Sequence, residues 1–238
     1  MNVGLLECDH VDERFRHLAG GYREMFEALL RPHLPDLQFS YFDVCHGELP
    51  PAIDACDAYI CTGSRASVYD QLEWIEQLKT FVRRLGEARQ PYVGICFGHQ
   101  VLAEALGGKV ARSGKGWGIG VHDMTVVKRE AWMAPPLELC RIQYMHADQV
   151  VELPPQAVLL GNGEHCEVAM FRVGETLLGI EGHPEFPAAY SEALIRDRSE
   201  RIGAEPSRVA LASVHRPTDQ AVLAQWMVAF LEQRADSL

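Results

Sequence analysis

Residues 91–100 have the sequence PYVGICFGHQ, in which the pattern changes at Cys96 from a short apolar run to helical spacing. Residues 91–95 are apolar, partly β-branched and begin with proline, which predicts a buried strand. From Val101 to Leu106 the apolar residues recur on one face of a helix, and two glycines then end it. The sequence therefore predicts that Cys96 lies at a sharp turn between a strand and a helix.

This turn is typical of a nucleophile. Glycines at 94 and 98 remove side chains that would collide at such a turn, as in the nucleophile elbow of hydrolases. A free cysteine has a pKa of about 8.5, and the positive end of a helix favours its thiolate. The N–H of Phe97 is expected to point to the position of a tetrahedral oxyanion. The alternative is a buried, inert cysteine between two glycines.

A second motif, His183-Pro184-Glu185, follows a predicted buried strand over residues 176–180. Pro184 disfavours helix at His183, and Glu185 is placed to hold the tautomer of the imidazole. Together with Cys96, the motif supplies a nucleophile, a base and an orienting group, as covalent acyl transfer requires. His146, on a predicted loop facing the pocket, is the competing base. Alone, the motif is equally typical of a surface turn, and the pairing with Cys96 favours catalysis.

Strand and helix patterns alternate along the N-terminal half of the chain. They predict an α/β fold with an open, mostly parallel (flavodoxin-like) sheet and helices on both faces. After residue 108 the pattern is mostly β, which predicts an antiparallel extension that leads to His183. An amphipathic helix is expected at residues 218–234. The predicted strands lie near 2–8, 38–44, 58–61, 91–95, 121–127, 158–161, 168–172 and 177–180, and the helices pass through 22–29, 72–82 and 97–106.

Four blocks of the sequence resemble those of the class I (triad-type) glutamine amidotransferase family. They lie at residues 58–64, 94–100, 144–150 and 179–186. Segments 116–120 and 147–150 are most similar to the free-standing, GMP-synthase-like amidotransferases and the γ-glutamyl peptidases. One departure is Met145, which stands where this family often has serine.

The resemblance implies roles for individual residues. Cys96 would be the nucleophile, His183 the base and Glu185 its partner. The backbone N–H groups of Gly63 and Phe97 would form the oxyanion hole. The residues implied in substrate binding are Gln100 and the backbone around His146 and Ala147.

Composition limits the remaining possibilities. A chain of 238 residues is expected to form one domain, 1–238, with an ample core, since 47% of its residues are hydrophobic. A net charge of −11 argues against nucleic acid or an anionic membrane surface as partner. Neither a signal peptide nor a membrane span is predicted, and seven cysteines without a C-x-x-C pair favour the reducing cytoplasm. No metal site is expected from the histidine spacing, and no cofactor is expected.

The sequence therefore predicts hydrolysis of the γ-glutamyl amide bond of glutamine, or of another γ-glutamyl small molecule, through a thioester on Cys96. One alternative is a glutaminase subunit that supplies ammonia to a separate synthetase. Another is a catalytically silent regulatory domain, against which the intact set of cysteine, histidine and glutamate argues. A stress-protein-type cysteine elbow is disfavoured because such proteins lack the His-Pro-Glu block.

Overall fold

The structure, a computed structural model, describes residues 1–233. Within them the strands are β1 (Asn2–Glu7), β2 (Gln38–Asp43), β3 (Ala58–Cys61), β4 (Tyr92–Ile95), β5 (Lys109–Arg112), β6 (Gly118–Val126), β7 (Leu139–His146), β8 (Asp148–Glu152), β9 (Ala157–Asn162), β10 (Met170–Val173) and β11 (Leu177–Ile180). The helices are α1 (Glu13–Ala19), α2 (Tyr22–Leu30), α3 (Glu73–Glu87), α4 (Phe97–Ala105), α5 (Ala188–Asp197), α6 (Ser199–Ile202), α7 (Ala204–Ser213) and α8 (Gln220–Glu232).

A nine-stranded sheet organises the molecule, with the strand order β2-β1-β3-β4-β11-β10-β9-β6-β7. The first five strands pair in parallel, and the remaining four continue the sheet with antiparallel pairs. Strands β5 and β8 form a separate antiparallel pair. The predicted α/β sheet with an antiparallel extension is confirmed.

Alternation along the central strands divides the core between the two faces of the sheet. Val93 and Ile95 of β4 belong to one apolar cluster, which includes Trp226 of α8. Tyr92 of β4 belongs to the other cluster, which includes Val101 of α4. Because helices cover both faces, the parallel strands are buried, and their carboxyl ends meet at one edge of the sheet. That edge carries the turns after β3, β4 and β11.

The segment around residues 144–150, predicted as a loop, instead spans the end of β7 and the start of β8. The alternation that marks a half-buried strand is hidden in β7, because Gln143 is buried beside apolar neighbours. Strand β5 and helices α1, α5, α6 and α7 were also not predicted. The terminal helix α8 is shorter than predicted, and Arg234 lies outside the described residues. None of the helices in residues 1–233 is long and apolar enough to cross a membrane.

Candidate active site

Cys96 lies between β4 and α4 with a φ of 50° and a ψ of −101°. A positive φ is strained for a residue other than glycine, and such strain persists only where the surroundings impose it. The surroundings here are tight. A Cβ atom on Gly94 would lie 2.3 Å from the carbonyl oxygen of Gly98, and one on Gly98 would lie 2.6 Å from that of Cys61. The two glycines therefore permit the turn that was predicted at Cys96.

The thiol of Cys96 is almost fully buried but lines a cavity of about 140 Å³. Burial raises the pKa of this thiol well above its usual value, and the carboxyl groups of Glu181 and Glu185 raise it further. A hydrogen bond from the Phe97 N–H lowers the pKa, as the helix terminus was expected to do, but this effect is outweighed. Without substrate the group is a thiol, so a nearby base is required to make it a nucleophile.

His183 is held by three contacts on different sides. Its Nδ1 atom lies 2.7 Å from Oε1 of Glu185, and its backbone N–H donates to the carbonyl of Gln143 at 2.8 Å. The imidazole stacks on Phe186 with ring centroids 3.9 Å apart and an angle of 10° between the planes. With Nδ1 facing the carboxylate and the ring fixed, Nε2 is left as the nitrogen that can exchange protons.

Gly63 lies where the turn after β3 meets both of these segments. A Cβ atom on Gly63 would lie 2.9 Å from Cε1 of His183 and 3.8 Å from the Cβ of Cys96. The turn is held by Thr62, whose hydroxyl donates to the carbonyl of Gly63 and accepts from the N–H of Cys8, both at 3.0 Å. The structure thus brings together the residues predicted as nucleophile, base and second oxyanion donor.

The residues expected to bind substrate, Gln100, His146 and Ala147, line the same cavity as Cys96. The amide nitrogen of Gln100 donates to the carbonyl of Asp148 at 3.0 Å and to Oε1 of Glu181 at 2.8 Å. These contacts brace the cavity wall, and the amide N–H groups are thereby already engaged. His146 places Nδ1 3.0 Å from the carbonyl of Asp148, and burial lowers its pKa to about 3.

Glu181 had no role assigned to it from the sequence, although it precedes the base by two residues. Its carboxyl is fully buried, with Oε2 3.3 Å from Nε2 of His99. Burial lowers the pKa of His99 to about 3, so neither this imidazole nor that of His146 offers a positive charge to the carboxyl. Burial accordingly raises the pKa of Glu181 well above the usual range. A polar residue directly after an apolar strand was the signal that could have found it.

Three arginines also line the cavity: Arg112, Arg198 and Arg201. Within residues 1–233 none of them forms an ion pair with a carboxylate. The guanidinium of Arg201 lies over the ring of Trp117, 4.9 Å from its centroid. Burial and the positive charges of Arg198 and Arg112 lower the pKa of Arg201. The sequence did not indicate this cluster because its members come from β5, the end of α5, and α6.

The family model described as glutamine amidotransferase class-I matches residues 50–198. The chain belongs to the class I glutamine amidotransferase family. γ-Glutamyl peptidase 4 of Arabidopsis thaliana is 36% identical over 176 residues, which cover 70% of this chain and 68% of the relative. A subunit of the glutamine-hydrolysing GMP synthase of Pyrococcus abyssi is 32% identical over 119 residues, which cover 49% of this chain and 63% of the relative. The resemblance found in the four sequence blocks is confirmed.

Solved structures agree on the fold. A crystal structure of a glutamine amidotransferase from Thermotoga maritima superposes with a TM-score of 0.75 over 98% of this chain and 97% of that chain. At 22% identity this likeness concerns the architecture alone. For this amidotransferase the likeness supports the placement of Cys96 and His183 at the carboxyl ends of β4 and β11, where open α/β sheets hold their sites.

Proposed function

We propose that this amidotransferase-family protein hydrolyses the γ-glutamyl amide bond of a small substrate through a thioester on Cys96. The observation that carries the proposal is the position of Gly63, whose Cα approaches both Cys96 and the imidazole of His183. Nucleophile, base and a backbone turn thereby converge at one cavity. The similarity to a γ-glutamyl peptidase supports the bond type.

The reaction would proceed in two halves. The thiol of Cys96 attacks the γ-carbonyl carbon while Nε2 of His183 takes the thiol proton. The N–H groups of Gly63 and Phe97 stabilise the tetrahedral oxyanion. His183 then returns the proton to the leaving nitrogen, the C–N bond breaks, and a γ-glutamyl thioester remains. Water, deprotonated by His183, attacks this thioester and releases glutamate and the free thiol. Glu185 stabilises the imidazolium in both halves.

The arginines suggest which γ-glutamyl compounds the cavity accepts. Glutamine carries one carboxylate, whereas a γ-glutamyl peptide carries a second one on its leaving group. Arg112, Arg198 and Arg201 repel each other, and an anionic group between them would relieve that repulsion and accept their hydrogen bonds. We therefore propose that the preferred substrate is a γ-glutamyl peptide with a carboxylate on the leaving amine.

The similarity to a GMP synthase subunit supports a second possibility, in which a separate synthetase receives ammonia from this chain. A subunit of that kind would hydrolyse glutamine itself and would be nearly inactive without its partner. The unpaired arginines favour the peptide substrate. We also propose that residues 1–238 form one domain, because a single sheet joins β1 to β11.

The test compares three substrates on the purified chain: glutamine, γ-glutamylglycine and γ-glutamylglycinamide. We expect kcat/KM to be highest for γ-glutamylglycine. Arg112→Gln and Arg198→Gln should each lower that value by about 10–100-fold, the worth of one charge-assisted hydrogen bond, and should change the other two substrates little. Arg83→Gln, an exposed arginine on α3, is the matched control.

Equal losses for all three substrates would assign the arginines to the α-carboxylate and remove the support for a peptide. Negligible turnover of every γ-glutamyl compound by the isolated chain, restored by a synthetase from the same cell, would replace the hydrolase with the ammonia-supplying subunit.

A further inference from the structure

A second group of chemically reactive side chains lies at the far side of the same sheet edge. His10 follows β1, Asp43 ends β2, and Cys45 and His46 lie on the 3-10 turn Val44–His46. Strands β1 and β2 pair in parallel, with Glu7 opposite Asp43. This register brings the loop after β1 beside the turn after β2, although His10 and Asp43 are 33 residues apart in sequence.

The donor atoms of these four side chains converge. Oδ1 of Asp43 lies 3.1 Å from Nε2 of His10, 2.9 Å from Nδ1 of His46 and 3.3 Å from Sγ of Cys45. The sulfur lies 3.8 Å from each of these two nitrogens. All four atoms are within 4.8 Å of one another.

This spacing is close to that of a tetrahedral metal centre. Zinc is bound by nitrogen or oxygen at about 2.0–2.2 Å and by sulfur at about 2.3 Å, so neighbouring donors of a tetrahedron are separated by about 3.3–3.7 Å. The individual distances from Asp43 and from the sulfur all lie within about 0.5 Å of that range. Two imidazoles, a thiolate and a carboxylate are ligands that zinc accepts, whereas magnesium and calcium prefer oxygen alone.

The backbone holds the turn in the shape that the four donors need. Gly47 ends the 3-10 turn in the left-handed region, with a φ of 89°, and donates its N–H to the carbonyl of Val44 at 2.9 Å. Glu48 donates its N–H to the carbonyl of Asp43 at 3.0 Å. Cys45 and His46 are thereby directed back toward the end of β2, and the imidazoles of His10 and His46 stack at 5.4 Å.

We propose that His10, Asp43, Cys45 and His46 form a zinc site that is separate from the site at Cys96. Four protein donors complete the tetrahedron, so the ion would be structural and would leave no position for a substrate. Binding releases the thiol proton of Cys45, which burial and Asp43 otherwise retain. No metal was expected from the sequence, because the ligands come from two segments that show no metal-binding spacing.

The site also has a connection to the cavity. The neighbour of His10, Asp9, accepts two hydrogen bonds from the Arg65 guanidinium, at 2.7 and 2.8 Å, and one from the backbone N–H of Arg65. Arg65 lines the cavity with Cys96. An ion that fixes His10 would therefore fix the loop that holds this part of the cavity wall.

The test uses the full chain without an affinity tag, stripped with a chelator and titrated with Co²⁺ and Zn²⁺. We expect one equivalent of Co²⁺ to give a thiolate-to-cobalt charge-transfer band and the intense visible bands of tetrahedral cobalt. Zinc should displace the cobalt and raise the Tm. Cys45→Ala should abolish the charge-transfer band. His10→Ala should weaken zinc binding by more than about 10–100-fold, the effect of losing only an outer partner of a metal ligand.

Two controls separate this site from other thiols and histidines. His17→Ala changes an exposed histidine of α1 outside the cluster, and Cys96→Ala removes the other candidate thiol; both should keep the band and the stoichiometry. Asp43→Asn, with circular dichroism as the check on folding, provides a second ligand variant. A band that survives in Cys45→Ala, one that disappears in Cys96→Ala, or no band in the wild type would overturn the proposal.

Discussion

Nδ1 of His183 lies 2.7 Å from Oε1 of Glu185, and both side chains are almost completely buried. The pair is built from residues two positions apart, with Pro184 between them turning the chain. Burial strengthens the contact, because the low local dielectric leaves the imidazolium that forms during turnover with no better partner than this carboxylate.

Removing the nucleophile should abolish turnover while the protein remains folded. Cys96→Ala is expected to lower kcat by on the order of 10⁶, the effect of losing the nucleophile of a triad. A glutamine-like electrophile should label Cys96 first, and mass spectrometry of the labelled peptide checks this. Preferential labelling of Cys61 or Cys166 would contradict the assignment.

Changes to the base and to its partner should differ in severity. His183→Ala should prevent formation of the thioester, with a loss comparable to that of Cys96→Ala. Glu185→Gln keeps the shape of the side chain but not its charge, and should leave a slower, active enzyme with a loss of about 10⁴. Single-turnover kinetics of the two variants provide the comparison. If His146→Ala were as severe as His183→Ala, the base would have to be reassigned.

Substitution of Gly63 should impair catalysis through position alone. In Gly63→Ala the new methyl group would lie 2.9 Å from Cε1 of His183, so the imidazole must shift. A displacement of about 1 Å can cost about 10²-fold in rate. Gly114→Ala is the matched control, because a Cβ atom there meets nothing within 4 Å. An unchanged kcat in Gly63→Ala would show that this turn does not act at the reaction centre.

The buried carboxyl of Glu181 should make stability depend on pH. Its pKa is raised in the folded state, so the native protein holds a proton that the unfolded chain releases near pH 4.3. The associated stability is present below about pH 4.3 and is lost as pH rises through the folded-state pKa, with a slope of up to about 1.4 kcal/mol per pH unit.

Glu181→Gln imitates the protonated form and should not show that loss. The free energy of unfolding of the variant, relative to wild type, should therefore increase with pH across this window. Urea denaturation at several pH values measures the difference. A difference that is constant with pH would mean that Glu181 is already ionised in the folded protein.

The parts of the fold that could be predicted are those with a strong local signal. The β4–Cys96–α4 turn was predictable because apolar run, glycines and helical period follow one another within residues 91–106. Strand β7 was not, because Gln143 is buried for a reason outside its own segment: its amide donates to the carbonyl of Val214. Periodicity sees only a polar residue at an apolar position.

The candidate site divides in the same way. Cys96 and His183 each lie within a recognisable motif, but the Arg112, Arg198 and Arg201 cluster has no local signature. Its members come together only when β5 and α6 are placed on either side of the cavity. The same is true of the four proposed zinc ligands, whose convergence depends on the register of β1 with β2.

The hydrogen bond from His183 to the carbonyl of Gln143 has a consequence for how the enzyme matures. The turn at Cys96 is formed by neighbouring segments, whereas His183 is fixed only after β6, β7, β9, β10 and β11 have paired. Contacts between residues distant in sequence form later, because the loop between them must first be closed. During refolding, helical signal and shielding of the thiol should therefore return before catalysis, and the onset of turnover marks the last step of folding.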